Sequence, residues 1–175
     1  MMIKKILPIA LFLSVLGLAA WFFAKAYRGI EQKKRVATNI QQLPNVRLLG
    51  LDSTAFVLAG QVPKQPTIVF YFDPNCEHCQ NEARELVKQA TQFTNVELLW
   101  LSTERLWVLR QFEAKYQLQK RVSTLKIGQI SPNDADKRFG FRIVPTILIY
   151  DAEGQLAKKY VGETKIEALV KHLTL

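Results

Sequence analysis

The sequence is poor in the residues that build covalent or metal-held scaffolds. Only two of its 175 residues are cysteine and only two are histidine. So few cysteines exclude a fold held together by several disulfides. A structural zinc centre needs about four ligands, and there is no second C-x-x-C to complete one. Low-complexity stretches and internal repeats are also absent, so the length suits one domain plus a short extra segment. Acidic residues are scarce at one end: residues 1–35 hold seven Lys/Arg against Glu31 alone. The other 140 residues hold 17 Lys/Arg against 14 Asp/Glu, a net of +3. The overall charge of +9 therefore gathers around one segment. That distribution fits a membrane surface and argues against a nucleic-acid partner.

What is present begins with an uncharged run at residues 6–24, ILPIALFLSVLGLAAWFFA, of 19 residues. At ~1.5 Å rise per residue a helix of this length nearly spans the ~30 Å hydrocarbon core. Trp21, Phe22 and Phe23 stand at one end, where aromatic rings favour the interface. Residues 1–27 are thus expected to form a transmembrane anchor that binds lipid through residues 6–24. The rival is a cleaved signal peptide, for which Ala24-Lys25-Ala26 offers an A-x-A site. A strict count of flanking positive charge would leave the following domain in the cytoplasm. A short basic N-terminus before a single apolar run is instead the usual shape of an exporting anchor. The expectation is a single-pass protein of the plasma (inner) membrane with its catalytic domain on the periplasmic or outer side.

Residues 28–43 are polar and charged and read as a juxtamembrane helix or linker. From residue 44 to 175 the pattern is α/β. Short apolar runs at 46–49 and 55–58 suggest a hairpin, and Pro63 and Pro66 mark the next turn. Continuous apolar runs at 67–72, 96–101 and 146–150 read as buried strands, with a weaker one at 124–127. Helices are expected at 76–93, 104–116 and 164–173, with a turn or two at 132–139. Asp151 to Gly154 reads as a hairpin turn into a strand at 155–161. Alternating strands and helices give a central sheet flanked by helices, made mixed by the closing hairpin.

Both cysteines fall in Cys76-Glu77-His78-Cys79, directly after a buried strand and at the start of a helix. A thiolate there is stabilised by unpaired backbone N–H groups and the helix macrodipole. Cys76 would attack a substrate disulfide, and Cys79, one turn further in, would resolve the mixed disulfide. Run in reverse, the same steps oxidise a dithiol. A purely structural bridge over so short a loop would constrain little of the unfolded chain. His78, when cationic, favours the Cys76 thiolate, and Glu77 opposes it. Both are expected to tune the pair.

Three features then resemble the thioredoxin superfamily, specifically its membrane-anchored TlpA/ResA-like thiol–disulfide oxidoreductases. They are the strand running into the pair, TIVFYFDPNCEHC; Val144-Pro145-Thr146 just before a buried strand; and the long interval from Cys79 to Pro145. The resemblance implies a thioredoxin-like fold and a redox-active Cys76–Cys79 disulfide, with no cofactor. It implies that Pro145 is cis and that a substrate strand pairs beside Val144. It also implies that Glu82, three residues after Cys79, exchanges a proton with that thiol. Asn75 stands where many members have Trp, and Phe70 stands where plain thioredoxin has a buried aspartate. The implied partners are cysteine-containing exported proteins such as apocytochrome c, and a membrane or soluble redox partner.

The same residues bear on other functions. A peroxiredoxin needs Thr or Ser three residues before its reactive cysteine, where this chain has Asp73. A copper-delivery protein would join Cys76 and Cys79 to a distant histidine, for which His172 is the candidate. A third reading is a tethered binding module with an inert disulfide.

Overall fold

The computed structural model describes residues 3–58 and 65–173, with side chains from Ser14 onward. The chain divides into two compact units, Met1–Ala37 and Thr38–Leu175. The first consists of helix α1, Ile3–Asn39, whose last residues belong to the second unit. Among the described residues no helix is long and apolar enough to cross a membrane. The side chains of the first part of the 6–24 run lie outside the described residues, as does Pro63.

The second unit is built on a seven-stranded mixed sheet. Its strands are β1 (Val46–Gly50), β2 (Ala55–Leu58), β3 (Thr67–Tyr71), β4 (Glu97–Ser102), β5 (Leu125–Gln129), β6 (Thr146–Tyr150) and β7 (Leu156–Val161), in the spatial order β2-β1-β5-β4-β3-β6-β7. Strands β3, β4 and β5 run parallel, and every other pairing is antiparallel. The central strands are buried along nearly their whole length, which is why β3, β4 and β6 read as continuous apolar runs rather than alternating ones. The edge strand β7 carries exposed Lys158 and Lys159, charges that discourage pairing with another chain.

The helices are α2 (Glu77–Lys88), α3 (Leu106–Tyr116), α4 (Leu118–Arg121), α5 (Pro132–Asp134) and α6 (Ile166–Val170). Helix α2 is shorter than the expected 76–93. Its ladder frays at Gln89, whose N–H is shared between the carbonyls of Glu85 and Leu86, and a 3-10 turn follows at Ala90–Phe93. Helix α6 is shorter than the expected 164–173 at both ends: Thr164 gives its N–H to Glu82 outside the helix, and residues 171–173 form turns after Val170. One face of the sheet packs Ile68, Phe70, Phe72 and Trp100 against Ala83 and Leu86 of α2, Phe112 of α3 and Ile166 of α6. Phe70 and Trp100 stack with ring centroids 4.2 Å apart.

The register positions the site. Helix α2 starts just beyond the C-terminal end of β3. Strand β6 runs antiparallel beside β3 with Thr146 opposite Tyr71. Pro145, one residue before β6, therefore lies at the same end of the sheet as the cysteines.

Candidate active site

The turn entering α2 is fixed by short-range bonds. Asp73 accepts from the Asn75 N–H through its side chain (2.8 Å) and from the Cys76 N–H through its carbonyl (3.0 Å). The Gln80 side chain donates to the Pro74 carbonyl at 2.9 Å and accepts from the Tyr116 hydroxyl at 3.1 Å. These contacts hold Cys76 as the residue that precedes the first helical turn, with extended φ and ψ of −75° and 121°.

Both cysteines are free thiols here, Cys76 half-buried and Cys79 fully buried. Burial pushes the Cys79 thiol well above the ordinary thiol range. A backbone N–H from Asp73 works against that shift, and neighbouring Cys76 adds to it. The two sulfurs thus have different environments: one is reachable from solvent, and the other is sealed and resists ionisation.

The peptide bond between Val144 and Pro145 is cis, as the resemblance implied. Pro145 is buried, Val144 half-buried and Ile143 exposed. The Thr146 hydroxyl donates to the Ile143 carbonyl at 2.6 Å, and the Gly162 N–H donates to the Pro145 carbonyl at 2.8 Å.

Glu82 is 3% exposed and is the one buried carboxyl among the described residues. Its Oε1 accepts the Thr164 backbone N–H at 2.5 Å. Burial lifts its pKa to about 7; the Thr164 bond opposes the rise, and the charges of Glu163 and Glu85 reinforce it. No hydrogen bond joins Glu82 to Cys79 among the described residues. Phe70, buried beside the same small cavity, carries an apolar ring, so Glu82 is the buried acid on this face of the sheet.

Glu77 is exposed at the start of α2. His78 is exposed as well, and its Nδ1 lies 2.6 Å from Oε2 of Glu163. Sequence reading did not find Glu163. Its loop follows β7 at 85 positions from His78, and only the turn-forming Gly162 (φ 91°) marks the place locally. His172, the histidine considered for copper, has its Nε2 3.0 Å from the Tyr160 hydroxyl. Among the described residues no three His, Cys, Asp or Glu side chains are grouped to hold a metal ion.

Residues 53–175 match the thioredoxin-like domain family. The chain belongs to that family. Similar folds include a peroxiredoxin-like protein from Aquifex aeolicus, 10% identical over 77% of this chain and 84% of that one, with a TM-score of 0.63. A secreted Mycobacterium tuberculosis disulfide oxidoreductase, described as homologous to E. coli DsbE, is 17% identical over 78% and 97%, with a TM-score of 0.61. StoA from Bacillus subtilis is 17% identical over 75% and 98%, with a TM-score of 0.59. No curated protein sequence matches the chain.

Proposed function

We propose that this chain is a membrane-anchored thiol–disulfide oxidoreductase of the TlpA/ResA-like group, acting on exported proteins through Cys76 and Cys79. One observation carries the reading. An accessible thiol opens α2, a second is sealed one turn inside, and Pro145 lies at the same end of the sheet.

The Cys76 thiolate attacks one sulfur of a substrate disulfide. A Cys76–substrate S–S bond forms, and the substrate's other sulfur leaves as a thiolate and takes up a proton. Cys79 then passes its proton toward Glu82, through water where the side chains do not touch, and attacks Cys76. The Cys76–Cys79 disulfide forms and the second substrate thiol departs. The substrate gains two electrons and the pair loses two; reversal oxidises a substrate dithiol. A redox partner in the membrane or in solution restores the starting state. A carboxyl with a pKa near 7 is matched to taking and returning a proton at neutral pH. Pro145 has no N–H, and an extended substrate segment pairs with the backbone at Val144. Glu77 and His78 adjust the charge beside Cys76. Reduction of a disulfide-bonded protein such as insulin tests the reading. The wild-type chain should reduce it and Cys76→Ser should not; an inert wild type would leave a binding module.

Anchoring is supported by the first unit. Val15, Leu16, Leu18, Trp21, Phe22 and Phe23 are each at least half exposed along α1, an apolar surface that lipid would cover. The protein should sediment with membranes, and a membrane-impermeant thiol reagent should reach Cys76 from the outer side of intact cells. Labelling only after lysis would reverse the orientation.

A further inference from the structure

Two contacts tie the loop after β7 to α2, and they come from consecutive residues. Glu163 Oε2 meets His78 Nδ1 at 2.6 Å, and the Thr164 N–H meets Glu82 Oε1 at 2.5 Å. His78 and Glu82 are four residues apart, so they share one face of α2. The same loop is tied to the Pro145 side of the site by the Gly162 N–H, and Thr164 Oγ1 braces it on the Gly162 carbonyl at 3.1 Å. We propose that Glu163 is a positioning residue: by holding His78 it keeps this loop on α2 and seats the Thr164 N–H against the Glu82 carboxyl. The role of that carboxyl in exchange rests on the thiol–disulfide reading above.

The surroundings of Glu82 make the seating consequential. Glu85 faces it from α2, Glu163 and Lys165 from the loop, and Glu167 from α6, all around one open groove. On the sheet side it meets Phe70 and Trp100, which carry no charge. The Thr164 N–H is the one hydrogen-bond donor on this carboxyl among the described residues. Glu163 therefore acts on Glu82 in two opposed ways. Its negative charge favours the protonated carboxyl, whereas the N–H it seats favours the ionised one.

Their opposite signs make the test decisive. The Glu82 side-chain carboxyl is titrated by carbon NMR in the full chain, with Glu82→Gln used to assign the signal. In Glu163→Ala the seated N–H is lost, and the midpoint should rise by about half a pH unit, a shift within reach of an exposed ion pair. In Glu163→Gln the side-chain oxygen still accepts from the His78 ring N–H while the charge is gone, so the midpoint should stay at or below wild type. A fall or no change in Glu163→Ala, or a rise in Glu163→Gln, overturns the clasp. The titration reads the clasp whether or not the chain catalyses exchange. Insulin reduction by wild type, measured in parallel, separates failure of the clasp from failure of the proposed function.

Discussion

Thr164 donates its backbone N–H to Oε1 of Glu82 across 82 positions of chain, binding the loop before α6 to the middle of α2. The bond satisfies one oxygen of a carboxyl that is otherwise enclosed by Leu86, Ile166 and the aromatic core. It moderates the cost of burial without cancelling it, which leaves the carboxyl titrating near neutrality.

Stability should record that burial. The folded carboxyl has a pKa of about 7 against an ordinary 4.5. Between those values the folded chain keeps a proton that the unfolded chain releases. The stability linked to Glu82 is therefore full below about 4.5, declines as pH rises and levels off above about 7. Glu82→Gln cannot ionise and should not show this decline. Relative to wild type, the variant should gain on the order of 3 kcal/mol between pH 4 and pH 8. Urea unfolding at the two pH values measures the difference.

The same substitution should separate the two chemical steps. Glu82→Gln removes the proton acceptor proposed for Cys79 but leaves Cys76 untouched. Stopped-flow kinetics should show resolution of the mixed disulfide slowed by about 10-fold or more, with the first attack little changed. An unchanged resolving rate across neutral pH would reduce Glu82 to a structural acid.

The thiols should differ in alkylation. Cys79 is sealed from solvent and its pKa is driven upward, whereas Cys76 is accessible. Brief treatment of the reduced, folded chain with iodoacetamide should add one group, at Cys76, and denaturation should expose the second. Mass spectrometry of the peptides locates each group. Equal rates at the two sites in the folded chain would contradict the burial that separates their roles.

Packing beneath the site can be tested at Phe70. Its ring stacks on Trp100 and lies under α2. Phe70→Ala should cost about 3–5 kcal/mol, the usual range for emptying a buried aromatic site. Denaturant unfolding measures it. A loss below about 1 kcal/mol would mean that the aromatic core closes over the gap.

The parts of this arrangement legible in the sequence are those set by local periodicity. Residues 67–72, 96–101 and 146–150 announce buried strands because both faces of a central strand are covered. Cys76 is legible as the start of a helix because a buried strand ends a short turn before it, and Pro145 because a buried strand follows it. The strand order was not legible, since β1 pairs with β5 across 78 to 80 positions, Gly50 with Gly128 and Leu49 with Gln129, and no local pattern encodes that choice. Gln89 lacked a breaker residue, so the end of α2 was hidden. Ile40 is buried, and residues 41–43 bond to Gly154, Gln155 and Leu156 where β7 begins, contacts that a polar stretch of sequence does not announce. The partners of His78 and Glu82 were invisible for the same reason as the strand order. Glu163 and Thr164 read as an ordinary turn until the fold brings them to α2.

The most direct measurement compares trapping by the two cysteine variants. Each is expressed in the full chain, free thiols are quenched with acid, and disulfide-linked adducts are resolved on non-reducing gels. With Cys76 attacking and Cys79 resolving, Cys79→Ser should accumulate mixed disulfides that dissolve on reduction, because nothing remains to release the partner. Cys76→Ser should accumulate few or none, since its remaining thiol is buried. Equal adducts from both variants, or adducts from Cys76→Ser alone, would contradict the division of labour assigned to Cys76 and Cys79.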